Sequence, residues 1–198
     1  MDLLKQFRRR QTRWWDLVVL WAALAQMAPL LSPQSSGEYE VKAAFLYKFA
    51  SFVEWPEATR DEPLGICVVG KDPFGGALER VVEGKTIGGR EFVVRRLKAW
   101  QAGEPCHILF VAASEKQRLR PLLGQMRHEA ILTVGDVPGF CEIGGAINLS
   151  VVESRVKLEI NLDATARSGL QVSSKLLSLA RIVRSTASAA SAANGVRN

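Results

Sequence analysis

Apolar positions along the chain follow two rhythms. Over residues 38–53 they recur at helical spacing: Val41, Ala44, Phe45, Phe49, Phe52 and Val53 share one face, and Lys42, Lys48 and Ser51 lie off it. Ser35 and Glu38 have the spacing of a capping box. Trp55 precedes Pro56 and is pushed out of the α region, so the helix is predicted to end there. Three short, almost wholly apolar runs follow: LGICVVG (64–70), CHILFVAA (106–113) and AILTVGD (130–136). They read as buried strands. Between them, FGGALERVVEG (74–84) reads as a helix with a glycine stop, and GKTIGGREFVVRRL as a plain turn and then a strand over Phe92–Leu97. SEKQRLRPLLGQM (114–126) reads as a surface helix from Ser114, kinked at Pro121. In AINLSVVESRVKLEINLD the rhythm becomes strict alternation. Ile147, Leu149 and Val151 point one way, Val156, Leu158 and Ile160 do likewise, and Glu153-Ser154 makes the turn of a hairpin. The last stretch predicts a short helical turn, a break at Gly169, and an amphipathic helix carrying Val172, Leu176, Leu179, Ala180 and Val183. The Ser/Ala-rich tail 185–198 is expected to fray.

Strands and helices alternate first and a hairpin follows. That order predicts an α/β fold: a single-domain sandwich with a mixed β-sheet, parallel in its first part, with a C-terminal antiparallel hairpin and flanking helices.

The chain has 198 residues, which suits one domain with a real core. The formal net charge is +6, and half of it sits in residues 1–37. There a basic segment ends at Arg13, an apolar stretch runs from Leu17 to Leu31, and small and polar residues follow. This is the layout of a secretory signal peptide with a short polar linker, with a small-x-small cleavage site after Ala25 and a second candidate cut near Ser36 or Gly37. The apolar run is short beside the about 20 residues a spanning helix needs. Export with cleavage is therefore expected. An uncleaved anchor is the alternative, and this segment would be the only membrane contact. The remainder carries 21 basic and 18 acidic residues without a basic stripe interleaved by aromatics, so no nucleic-acid partner is expected.

Export changes how Cys67, Cys106 and Cys141 are read. In an oxidising compartment a pair should bridge, leaving one over. There is no CxxC and there are only two histidines, His107 and His128, so neither a metal nor a cofactor is expected. Gly84-Lys85-Thr86 resembles the end of a phosphate loop, but Glu79 stands where the upstream glycine belongs. Cys141 with His107 or His128 could form a thiol–imidazole pair, and Asp136 with Glu142 a carboxylate pair. Strand-edge and loop positions explain both more simply, and the chain is read as not an enzyme.

Three stretches together resemble the YfiR family of exported proteins: EYEVKAAFLYKFASFVEWP, TVGDVPGFCEIGGAINL and RVKLEINLDATARSGLQVSSKLLSLARIV, spanning residues 38–184. The resemblance implies a periplasmic α/β domain without catalytic activity. It would repress an inner-membrane diguanylate cyclase through that enzyme's periplasmic sensor region, and so tune cyclic di-GMP and biofilm formation. It also implies alternative partners, namely a sensor kinase or a second copy in a homodimer. In the branch with redox control, Cys67 and Cys106 match the first of two bridges. Cys141 matches half of the second, whose partner is missing; Ala146 or a neighbour stands where a cysteine would be expected. A lone exported thiol could be reactive or join two chains. Trp55 and Phe140 are the aromatics expected to be partly exposed, and so are candidate partner contacts. The glycine-rich loops 70–76 and 135–145 follow strand ends, where open α/β sheets place a small ligand.

Overall fold

The computed structural model describes residues 34–57, 62–152 and 155–185. Of the expected leader and linker, residues 1–33 lie outside the described residues, as do the expected Glu153-Ser154 turn and the tail beyond Ser185. Their compact unit begins at Ser35.

Helix α1 runs Gln34–Phe52, and β1 follows at Val53–Glu54. Then come β2 (Leu64–Val69), α2 (Ala77–Val82), β3 (Thr86–Ile87), β4 (Arg90–Leu97) and β5 (Ile108–Val111). A 3-10 segment over Ala113–Arg118 leads into α3 (Leu119–Gln125), β6 (Leu132–Gly135), β7 (Ile147–Val152) and β8 (Arg155–Asn161). The chain closes with α4 (Leu162–Arg167), β9 (Gln171–Val172), α5 (Ser174–Leu177) and β10 (Arg181–Val183). An eight-stranded mixed sheet has the order β10-β8-β7-β6-β5-β2-β4-β3, and β1 pairs separately with β9. The central pairs β2–β4, β2–β5, β5–β6 and β6–β7 are parallel. The β7–β8 hairpin is antiparallel, with Ile147 opposite Ile160, Leu149 opposite Leu158 and Val151 opposite Val156, as the alternation predicts.

Period-two alternation divides the core between the two faces of the sheet. Ile66, Val68, Ile108 and Phe110 pack against Ala43, Leu46, Phe49 and Ala50 of α1 and Leu78 of α2. Cys67, Val69, Leu109 and Val111 pack against Leu119, Leu122 and Leu123 of α3. The result is helix, sheet, helix, with strands buried on both faces.

Five expectations change. The buried stripe of α1 is rotated: Val41 is 45% exposed and Ala44 is also exposed, while Lys42 lies inside. The helix ends at Phe52 rather than at Trp55, because Val53 and Glu54 pair with Val172 and Gln171 and the Phe52 carbonyl accepts from the Ser173 N–H at 2.8 Å. Residues 114–126 do not form one kinked helix. The α-helix restarts after the 3-10 segment, which puts Pro121 in its first turn, where a missing N–H costs nothing. The C-terminal amphipathic helix is a single turn capped by Ser173, and its second half is β10, paired in parallel with β8. There β-branched Ile182 and Val183 extend the sheet, which outweighs the helical spacing, and Leu179 is left 73% exposed. The GKTIGG segment is also more than a turn. Thr86–Ile87 pairs with Arg90–Glu91 across Gly88 and Gly89, whose φ values of 59° and 80° suit the two-residue hairpin turn that glycine alone enters freely.

Candidate functional site

Three groups of residues converge on the sheet. The first is the disulfide corner. Cys67 in mid-β2 bridges Cys106, just before β5, with Cα atoms 6.0 Å apart. Next to Cys106, His107 is buried, and its carbonyl accepts from Trp55 Nε1 at 3.3 Å. The two rings meet edge-on at 5.7 Å. His107 Nδ1 faces the Gly65 N–H at 3.2 Å, and Arg90 lies 2.7 Å from Nε2. The corner thus ties Trp55, the residue that follows β1, to β2, β4 and β5.

The second group lies at the carboxyl end of the sheet. From β2 the chain passes over α2 to β4 on one side, then returns to place β5 on the other side of β2. Helices α2 and α3 cover opposite faces, so β2 and β5 flank a topological switch point. Gly70, with φ 92°, turns the chain there, and the Lys71 N–H donates to Ser114 Oγ at 2.8 Å. One strand further, Asp136 accepts from Lys42 Nζ and from Tyr39 Oη, both at 2.8 Å. Lys42 also pairs with Glu38 at 2.6 Å. The Lys42 and Asp136 side chains are 3% and 4% exposed, so this is a buried ion pair between α1 and the end of β6. Burial and the Asp136 carboxylate together push the Tyr39 hydroxyl well above its ordinary range. Asp136 Oδ1 has no hydrogen-bond partner among the described residues. Sequence reasoning placed Lys42 off the buried face; the signal it passed over is a lysine four residues before Leu46 and seven before Phe49.

The third group is the loop 137–145. Phe140 is fully buried and stacks between two glycines. A Cβ on Gly135 would lie 2.6 Å from its ring, and one on Gly145 nearer still. Asn161 pins the loop from below. It caps α4 by accepting from the Ala164 N–H at 3.0 Å and donates through Nδ2 to the Cys141 carbonyl and to Ser185 Oγ, both at 2.7 Å. Cys141 is free and buried, its thiol pushed up to about 12 by burial first and then by the Glu159 and Glu142 carboxylates. For Glu159 itself, burial raises the carboxyl, but hydrogen bonds from Arg181 and Asn148 prevail and hold it below its usual range.

A family profile described as YfiR/HmsC-like matches residues 39–181, from the first turns of α1 to the start of β10. The chain belongs to the YfiR/HmsC-like family. The family is one of periplasmic regulators of diguanylate cyclase activity, and its members are regulatory rather than catalytic. Among the described residues no helix is long and apolar enough to cross a membrane.

Within this YfiR-like fold the expected site residues fare differently. The Cys67–Cys106 pair is brought together. Trp55 and Phe140 are not the partly exposed aromatics expected: Trp55 is 8% exposed and Phe140 0%. Trp55 turns inward onto His107, and Phe140 fills the gap that two glycines leave, so neither ring offers a contact surface in this conformation. Cys141 is no reactive or interchain thiol in this geometry, since it is enclosed and its thiolate strongly disfavoured. Its neighbours are the Ala146 and Glu159 carbonyls rather than an imidazole. Asp136 is committed to Lys42 and Tyr39 rather than paired with Glu142.

Proposed function

We propose that the protein is exported and binds the periplasmic sensor region of an inner-membrane diguanylate cyclase, repressing it and lowering cyclic di-GMP. The observation that carries this reading is the family match over 39–181, which spans both core clusters, the disulfide corner and the Phe140 loop. In this reading residues 1–37 are a cleaved signal peptide and a short polar linker, 38–184 the regulatory domain and 185–198 a tail. Binding of the purified chain to isolated periplasmic domains of membrane diguanylate cyclases tests it. One specific, saturable complex is expected; failure with every such domain of the host sinks it.

A second reading is a small-ligand module feeding a sensor kinase. It is favoured by the switch point between β2 and β5, with Asp136 Oδ1 unpartnered beside it. A flat thermal-shift screen over periplasmic metabolites removes it. The two are compatible, because a ligand that binds one state better shifts a repressor toward that state.

A further inference from the structure

The eight-stranded sheet ends differently on its two sides. On one side β10 has three residues. On the other, β4 has eight, and β3 pairs only with Arg90 and Glu91. Among the described residues, Phe92–Leu97 therefore has no partner on its outer side. Folded proteins blunt an open edge of that length, often with charged side chains standing on it. Here the two central arginines are drawn back over the sheet. Arg95 Nη1 donates to the Pro105 carbonyl at 2.8 Å, and Arg96 is held by Asp72 at 3.0 Å and by Glu79.

An open groove of about 550 Å³ runs beside this edge, with Phe92 and Val94 as its floor and Val82 of α2 in its wall. Most charges around it are already committed. Glu79 binds Arg96, Arg80 reaches Glu40 at 3.3 Å, and the Lys85 ammonium sits 4.7 Å from the Tyr47 ring centre. Glu83 and Glu91 are exposed and have no ion-pair partner among the described residues. Among the groove's charges without an ion-pair partner, Glu83 and Glu91 outnumber Lys85, so its unpaired charge is net negative.

We propose that the free β4 edge receives an extended segment of a partner protein as an added strand. Its alternate side chains enter the groove, apolar ones over Phe92 and Val94, and a lysine or arginine answers Glu83 and Glu91. Ladder hydrogen bonds supply affinity in such an arrangement, and the alternate side chains supply choice. A second copy of this chain fits poorly, because Arg95 and Arg96 of its own edge are already held by the Pro105 carbonyl, Asp72 and Glu79 and do not answer Glu83 and Glu91. The partner's identity as the signalling protein rests on the regulatory reading above; the edge and its charge preference do not.

The test uses the full chain and the peptide acetyl-Val-Thr-Lys-Thr-Val-Thr-Lys-Thr-amide, with a counterpart carrying glutamate for lysine, followed by amide NMR and hydrogen exchange. The lysine peptide is expected to shift residues 79–97 and slow exchange at outward-facing amides of Phe92–Leu97. The glutamate peptide is expected to bind at least about tenfold more weakly, and the double variant Glu83→Lys, Glu91→Lys to reverse that preference. No effect in 79–97, or equal binding of both peptides, overturns the inference. So does edge protection already present in the free chain, which means that residues 1–33 or a second copy cover it. The two readings fail separately: peptide binding at β4 with cyclic di-GMP unaffected by the gene keeps this inference and sinks the regulatory one.

Discussion

Phe140 and its two glycines give the sharpest energetic test of the fold. Neither Gly135 nor Gly145 has a left-handed φ, so each is needed for space and not for backbone freedom. An alanine methyl at Gly145 would sit inside 3.0 Å of three Phe140 ring carbons, far inside it for two, in a site where the ring is fully buried. Overpacking of this kind costs about 1–3 kcal/mol. Truncating the ring alone, Phe140→Ala, costs about 3–5 kcal/mol through lost transfer energy and a cavity. The two losses do not add, because the new methyl occupies space the ring has left. The double variant Gly145→Ala, Phe140→Ala should be no less stable than Phe140→Ala alone, a coupling of about 1–3 kcal/mol. Urea unfolding of the oxidised protein, followed by tryptophan fluorescence, measures all four corners of the cycle. Gly124→Ala is the control: nothing lies within 4 Å of its Cβ, so it should be neutral or stabilise by up to about 1 kcal/mol. Losses that add within about 0.5 kcal/mol would refute the packing argument.

Other perturbations probe the remaining groups. Replacing Cys67 and Cys106 together by alanine opens a loop of sequence separation 39, for which chain entropy predicts a loss of about 4 kcal/mol at 25 °C; a change under about 1 kcal/mol on chemical denaturation contradicts it. Lys42→Met leaves the buried Asp136 carboxylate without its cation and should cost about 3–5 kcal/mol, while Lys42→Met with Asp136→Leu should recover much of that; a double variant worse than the single refutes the pairing. The Cys141 thiol keeps its proton to about 12 in the fold but loses it near its ordinary 9.0 when unfolded, so the stability it lends is full below 9.0 and lost as pH rises toward 12. Between these values the wild type should lose about 1.4 kcal/mol per pH unit more than Cys141→Ala, and parallel pH profiles refute this. In the folded protein at pH 8, Cys141 should resist maleimide until denaturant is added, and prompt labelling contradicts its burial.

The strands were legible wherever an apolar run stood between turn residues, because a strand buried on both faces has no polar alternative. The β7–β8 register was legible down to Ile147 opposite Ile160, since a one-residue slip would turn every side chain over. What escaped depends on contacts distant in sequence. Lys42 looked like a solvent residue because its partner Asp136 is 94 residues away. Trp55 and Phe140 looked exposed because a helix end and a glycine-rich loop are usually open. The His107 carbonyl and the gap between Gly135 and Gly145 exist only once the sheet is assembled. Residues 181–183 carried helical spacing, yet a neighbouring strand edge decided their state. The Cys67–Cys106 bridge came from the family resemblance rather than from spacing, because three cysteines alone allow any pair.

The most direct test of the regulatory account is cyclic di-GMP itself, measured in cells lacking the gene and in cells carrying it back on a plasmid. The account predicts a rise on deletion and a return to the starting level with the wild-type chain. A level that does not change on deletion, under conditions where the protein is present in the periplasm, contradicts it.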